Sequence, residues 1–306
     1  MNVLLIVGGL VVSDYDHAVR TEGLTKTFFT GWSRRRVEAV IDLDLEVVSG
    51  EVFALLGPNG SGKTTTTKML LGLLRPTRGK AWVLGRPATD VAIKQRIGYL
   101  PEESYLYRFL DAEETLDFYG QLFGLPRKER RRRADELIKM VGLDNARKRP
   151  LKEYSKGMAR RIGLAQALVN DPDFVILDEP TSGLDPIGTR EMKDVIIGLR
   201  ERGKTVFLCS HLLADVRDVC DRIAILHLGR LQVIGEVTKL LEVSEITQIT
   251  AKSVDEQAQQ NVRRVLVQGG AEVLSIEHPT TTLEDLFLKT IRGAGSDGGK
   301  TERNQT

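Results

Sequence analysis

Apolar residues gather into short, nearly unbroken runs at residues 52–56, 174–177, 205–209 and 223–226. Runs of this length without an interleaved polar position read as β-strands covered on both faces, the pattern of a parallel or mixed sheet. Helical spacing takes over between them, beginning with residues 65–74. From about residue 18 onward β-like and α-like segments alternate, so the expected class is α/β.

The texture changes between residues 101 and 165, where strand-like runs disappear and charged helical patterns replace them. Leu116, Tyr119 and Phe123 fall near helical spacing within 112–123, and Leu137, Ile138 and Val141 share one face of the next helix. The basic run 130–133 opens that helix and reads as a solvated face, because Asp135 and Glu136 follow directly. This stretch is expected to be a helical subdomain inserted into the α/β core. A third pattern follows Gly235: a strand-like run at 246–250, a helix near 255–266, a second strand-like run at 272–276 and a short helix at 283–291. The expected division is an N-terminal segment 1–17, a main domain 18–232 carrying the insert, a small α+β domain 233–292, and a disordered Gly-rich polar tail 293–306.

The apolar start, residues 1–12, has no Lys or Arg before it, meets Asp14 and Asp16 at once, and is too short to span a bilayer. A strand or an unstructured start is expected there rather than a leader or anchor. No other stretch reaches the roughly 18 apolar residues of a membrane-spanning helix, so the chain is not expected to form a pore by itself. Of the 306 residues 41% are hydrophobic and 28% charged, values of a soluble globular protein. A formal net charge of +2 is too mild to imply a nucleic-acid or membrane surface. The two cysteines, Cys209 and Cys220, form no Cys-x-x-Cys pair, so neither a zinc site nor a disulfide framework is expected, and a reducing cytoplasm suits the chain.

The chemistry begins directly after the first apolar run. Gly57-Pro58-Asn59-Gly60-Ser61-Gly62-Lys63-Thr64 matches the phosphate-loop spacing G-x-x-x-x-G-K-[ST] between a strand and a helix. Gly57, Gly60 and Gly62 let the backbone turn tightly and aim its N–H groups inward, and the following helix adds the positive end of its dipole. Lys63 is placed for the β- and γ-phosphates and the Thr64 hydroxyl for Mg²⁺, with Thr65 next along the helix. The run at 174–177 ends in Asp178 and Glu179. A strand covered on both faces has its C-terminal end free for chemistry, so both carboxylates are expected at the sheet edge that carries the phosphate loop. Asp178 is the candidate Mg²⁺ ligand and Glu179 the candidate base that polarises a water. Ser210-His211 follows the run at 205–209 at the same edge, and His211 is the candidate γ-phosphate contact. Asp185 suits a helix N-cap, with Pro186 at the first helical position, a role compatible with a contact across an interface.

These motifs, in this order over roughly residues 18–232, resemble the ATP-binding subunits of ABC transporters. The resemblance implies a P-loop NTPase (RecA-like) core sheet with an inserted helical subdomain, here followed by a small C-terminal α+β appendage. The family's signature, usually Leu-Ser-Gly-Gly-Gln, corresponds to Tyr154-Ser155-Lys156-Gly157-Met158, which retains Ser155 and Gly157 and departs at Lys156 and Met158. It implies that Ser155 and Gly157 touch ATP held by the phosphate loop of a second subunit, in a head-to-tail homodimer or with a paired ATPase subunit, and Asp185 is set beside them as a candidate ATP contact. Gly98-Tyr99-Leu100-Pro101-Glu102 resembles the loop that joins core and helical subdomain, with Glu102, a candidate Mg²⁺ ligand, where the family usually has Gln. Phe28, in Leu24-Thr25-Lys26-Thr27-Phe28, resembles the aromatic residue that stacks on adenine. Leu283-Glu284-Asp285-Leu286-Phe287 resembles the appendage of a bacterial-type branch whose members pair with separately encoded membrane permeases, often for export. The implied protein hydrolyses ATP with Mg²⁺ and lies in the cytoplasm on the inner face of the cell membrane. Two other readings stay open: a soluble ABC-type ATPase acting on nucleic acid or the ribosome, and a low-turnover regulatory subunit. Against the first stand the single nucleotide module, the compact insert and the small net charge; no nucleic-acid partner is expected.

Overall fold

A computed structural model describes residues 6–7, 10–11, 16–30, 35–103, 105–212, 216–242, 249 and 251–276. The short strands β1 (Ile6–Val7) and β2 (Leu10–Val11) pair antiparallel. A long hairpin follows, β3 (His17–Thr30) against β4 (Arg35–Val48). Along β4, Leu43, Leu45 and Val47 are buried while Asp44, Glu46 and Val48 are exposed, the period of two that a half-covered antiparallel strand requires. A search for unbroken apolar runs passes over this alternation.

β5 (Val52–Leu56) leads into α1 (Lys63–Leu70). This helix ends four residues before the expected 74. Gly72 turns the chain with a φ of 66°, and a Cβ there would lie 2.4 Å from the Ala88 carbonyl oxygen. β6 (Arg78–Val83) and β7 (Arg86–Pro87) complete an antiparallel sheet of order β4-β3-β6-β7. β8 (Ile97–Leu100) corrects the expectation of a loop from residue 98: the segment is an edge strand paired parallel to its neighbour, and the loop starts only at Pro101.

The helical subdomain contains α2 (Ala112–Leu122), α3 (Arg127–Met140) and α4 (Lys156–Ala167). Part of its basic run is not solvated. Arg130 Nε donates to Asp117 at 2.7 Å and Arg133 Nη2 to the Leu168 carbonyl at 2.6 Å, with both side chains mostly covered. β9 (Phe174–Asp178), α5 (Pro186–Glu201), β10 (Thr205–Ser210), β11 (Arg222–His227) and β12 (Arg230–Glu236) follow.

The second sheet has the order β12-β11-β5-β10-β9-β8, parallel throughout except for the antiparallel β12. Its central strands are buried on both faces. Val52, Ala54 and Leu56 join the core that packs against the helical subdomain and α5, with Leu116, Leu137, Ile162 and Ile196. Phe53 and Leu55 join a second core shared with the antiparallel sheet and α1, with Leu24, Leu43, Met69 and Leu70. The register sets Leu56 beside Ser210 and Cys209 beside Asp178, so the ends of β5, β10 and β9 open on one edge.

The chain divides into two units, Met1–Leu241 and Glu242–Thr306. In the second, Asp255 caps the helix Glu256–Gln268, its carboxylate accepting from the Ala258 N–H at 2.7 Å. Residues 272–276, expected as a strand, have no regular structure, and Leu274 and Ile276 stand exposed. Residues 246–248 and 250 of the other expected strand, and the expected helix 283–291, lie outside the described residues. Among the described residues no helix is long and apolar enough to cross a membrane.

Candidate nucleotide-binding site

The phosphate loop bridges the end of β5 and the start of α1. Gly62 is the N-cap of α1 with a φ of 109°, and a Cβ there would sit 2.4 Å from the Ala39 carbonyl oxygen. Only glycine fits both the backbone angle and the space. No side chain caps the helix and no acidic residue stands in its first turn. The N–H groups of Lys63, Thr64 and Thr65 therefore lack a carbonyl four residues back and present the positive helix end to an anion. Pro58, Asn59, Gly60 and Thr64 are exposed and Gly57 and Thr65 half-buried. Ser61 is buried, and its Oγ has no hydrogen-bond partner among the described residues.

Lys63 curls back over this loop. Its Nζ donates to the Gly57 carbonyl at 2.7 Å and lies 3.8 Å from Glu179 Oε1. Glu179 is 5% exposed and takes a left-handed φ of 51°, a conformation unfavourable for a side chain with a Cβ. Its N–H donates to the Cys209 carbonyl at 2.8 Å, which turns the chain off the end of β9. Its Oε2 lies 2.9 Å from His211 Nδ1 and accepts from Ser210 Oγ at 3.4 Å. Lys63, Glu179, Ser210 and His211 thus form one cluster where β5, β9 and β10 end. Ser210 is a member that the sequence reading did not select.

Asp178, directly before, is 2% exposed. Burial pushes its carboxyl up to about 6; the negative charges of Glu179 and Glu102 add to the rise, and Arg160 and Lys63 oppose it. The Glu102 side chain is exposed, while its carbonyl accepts from Arg160 Nη1 at 2.9 Å. Arg160 was also missed by the sequence reading. It shares a helical face with Leu164 and Ala167, both buried, so the spacing does flag a charge on the covered side of α4.

The remaining expected residues make other contacts. Phe28 is partly exposed on β3, with Lys26 Nζ 5.2 Å from its ring centroid and held by the Arg75 carbonyl at 2.8 Å. Ser155 is the N-cap of α4, its exposed Oγ accepting from the Met158 N–H at 3.2 Å, and Gly157 lies in the first turn. Asp185 caps α5, accepting from the Gly188 N–H at 2.7 Å, with Pro186 at the first helical position. Among the described residues no hydrogen bond or ion pair joins Phe28, Ser155, Gly157 or Asp185 to the Lys63–Glu179–His211 cluster.

The donor set suits Mg²⁺ delivered with a nucleotide. No three His, Cys, Asp or Glu side chains among the described residues could hold a metal alone. Thr64, Asp178 and Glu102 offer hard oxygen atoms, and Mg²⁺ completes its shell from phosphate oxygens and water.

Known proteins resemble this chain in sequence and in fold. The ABC transporter family profile matches residues 40–182. An uncharacterized ABC transporter ATP-binding protein of Synechocystis is 42% identical over 304 residues, covering 91% of this chain and 86% of that protein. The bacitracin transport ATP-binding protein of Bacillus licheniformis is 33% identical over 309 residues, covering 90% and 97%. Among solved structures, a dimeric ATP-binding cassette in a post-hydrolysis state bound to ADP and Pi superposes with a TM-score of 0.65 at 27% identity, covering 72% of this chain and 98% of that one.

Proposed function

Since this chain belongs to the ABC transporter ATP-binding family, we propose that it hydrolyses ATP to drive a separately encoded membrane permease, in the direction of export. One observation carries the hydrolysis: a buried carboxylate, Glu179, stands 2.9 Å from His211 and 3.8 Å from Lys63 at the mouth of an uncapped phosphate loop. The loop amides and the start of α1 bind the phosphates. Lys63 exchanges the Gly57 carbonyl for the β- and γ-phosphates. Glu179 accepts a proton from the attacking water, and His211 holds that carboxylate in place and contacts the γ-phosphate. Phe28 stacks on the adenine ring. Thr64, Asp178 and Glu102 would hold Mg²⁺. When bound, the metal neutralises charge on the β- and γ-phosphates.

Ser155, Gly157 and Asp185 serve the ATP of a second subunit; that none of them bonds to the cluster of its own chain, among the described residues, supports this reading. Two chains close head to tail around two nucleotides, and loss of the γ-phosphate contacts opens them. The dimeric cassette bound to ADP and Pi supports this arrangement, and the relative named for bacitracin transport supports the transport role. The chain works from the cytoplasmic face, where the permease receives the closing motion.

The experiment is a mild-detergent pull-down of the tagged full chain from its native host, followed by mass spectrometry. A multispanning membrane protein in near-equal amount is the expected result. Ribosomes, nucleic acid or only soluble partners would overturn the transport reading.

A further inference from the structure

Arg160 carries a charge into the interior; the carboxylates of Asp178, Glu102 and Glu179 favour that charge, yet among the described residues none forms an ion pair with it. The residue is 7% exposed, and burial disfavours its charged form. Instead, its five N–H donors all reach main-chain carbonyls. Nε donates to Pro180 at 3.4 Å, Nη1 to Pro101 and to Glu102 at 2.9 Å, and Nη2 to Asp178 and to Glu179 at 2.8 Å. Two segments far apart in sequence meet on one planar group: the loop after β8 and the turn after β9.

We propose that Arg160 is a positioning residue for hydrolysis, holding the backbone of Glu179 and of Glu102 in register with the helix that begins at Ser155. The inference rests on hydrolysis at Glu179. The backbone of Glu179 persists at a φ of 51° because it is held at both ends, by the Cys209 carbonyl on its N–H and by Arg160 on its own carbonyl. Release of either end lets the residue relax toward ordinary angles and swings its carboxylate. Arg160 also lies on the helix that Ser155 caps, five residues on, a rise of about 7.5 Å. A displacement of that helix start by nucleotide on a second subunit therefore reaches Glu179 and Glu102 together through one rigid group.

The close fit of α4 to the sheet supports this. A Cβ at Gly98 would fall 2.2 Å from the Ala167 carbonyl oxygen, so the C-terminal end of α4 is seated directly on β8. The helix is anchored there, and Arg160 spans the sheet edge nearer its start. Lysine cannot replace this group, because an ammonium has three donors and no planar fork to reach two segments at once.

The test uses the full chain with Arg160→Gln and Arg160→Lys, each alone and combined with Glu179→Gln. Single-turnover hydrolysis rates and equilibrium ATP affinity are measured for all. Arg160→Gln is expected to slow hydrolysis about 100-fold while ATP affinity stays within about threefold, with Arg160→Lys in between. In the Glu179→Gln background Arg160→Gln is expected to add no further loss, because both changes remove the same placed carboxylate. Where Arg160→Gln does not fold, Arg160→Lys keeps the charge and carries the same comparison. Unchanged hydrolysis, an equal loss of ATP affinity, or a full second loss in the Glu179→Gln background would each overturn the proposal. A wild-type chain that binds ATP and never cleaves it, even with its permease, would defeat the hydrolysis reading and this one together. A wild-type chain that cleaves ATP no faster than Arg160→Gln defeats only the role of Arg160.

Discussion

His211 Nδ1 and Glu179 Oε2 stand 2.9 Å apart, one residue on β10's trailing edge and the other just past the end of β9. The contact commits Nδ1 to the carboxylate, so the phosphate contact proposed for His211 falls to Nε2. Side-chain exposure divides the pair: Glu179 is enclosed at 6% and His211 open at 43%. The carboxylate is thus held from the solvent side by His211, the residue proposed to contact the γ-phosphate.

Glu179→Gln keeps the shape of this side chain and removes its basicity. ATP turnover is expected to fall by about 10²–10⁴-fold while ATP still binds. With hydrolysis blocked the closed dimer accumulates, visible by light scattering after size exclusion. A variant that stays monomeric at saturating ATP would refute the head-to-tail arrangement.

Lys63→Ala acts on binding itself. Loss of a charged hydrogen bond to phosphate costs about 1.5–3 kcal/mol, a drop in ATP affinity of about ten- to a hundredfold. Calorimetric titration checks this. AMP, which lacks the β- and γ-phosphates, is expected to bind both forms alike.

Asp178 links this site to pH. Its carboxyl titrates near 6 in the folded chain, against an ordinary value of 3.8, so the folded form takes up the proton that the unfolded form has lost. The stability contributed by the protonated group is fully present below about pH 4 and is lost as pH rises through about 6. Asp178→Asn, which stays neutral, is therefore expected to raise the melting temperature of the nucleotide- and Mg²⁺-free chain more at pH 7.5 than at pH 4.5. Equal shifts at both pH values would show that burial does not set this carboxyl.

Gly98→Ala tests the seating of α4 on β8. The added methyl meets backbone at Ala167 and the ring of Pro172 at 2.9 Å, neither a flexible side-chain end. A loss of about 1–3 kcal/mol in urea unfolding is expected, with slower ATP turnover, since the helix that carries Arg160 must shift. Wild-type stability would mean that helix and strand are less tightly seated than their spacing indicates.

The central strands were legible because burial on both faces leaves an unbroken apolar run, as at Val52–Leu56. The phosphate loop, Asp178, Glu179 and His211 were legible because each follows such a run directly. The β3–β4 hairpin was not, since its burial alternates. β8 was hidden by Gly98, whose place depends on the α4 backbone beside it, and by Tyr99, which packs on the opposite face against the second core. The expected strand at 272–276 rested on β-propensity alone, and that is a weak guide without a neighbouring strand. Arg160 escaped notice because an arginine beside Arg161 reads as surface charge, while its acceptors come from carbonyls that no side-chain identity announces.

That last point bears on how this site tolerates change. The guanidinium of Arg160 grips only carbonyl oxygens, which every amino acid supplies, so residues 101, 102 and 178–180 can exchange side chains without loosening the grip. A Glu at 102, where the family usually carries Gln, is such an exchange. For this backbone contact alone, tolerance is spread across the five gripped positions and fragility is concentrated in Arg160, while Asp178 and Glu179 remain constrained by the roles proposed for their side chains.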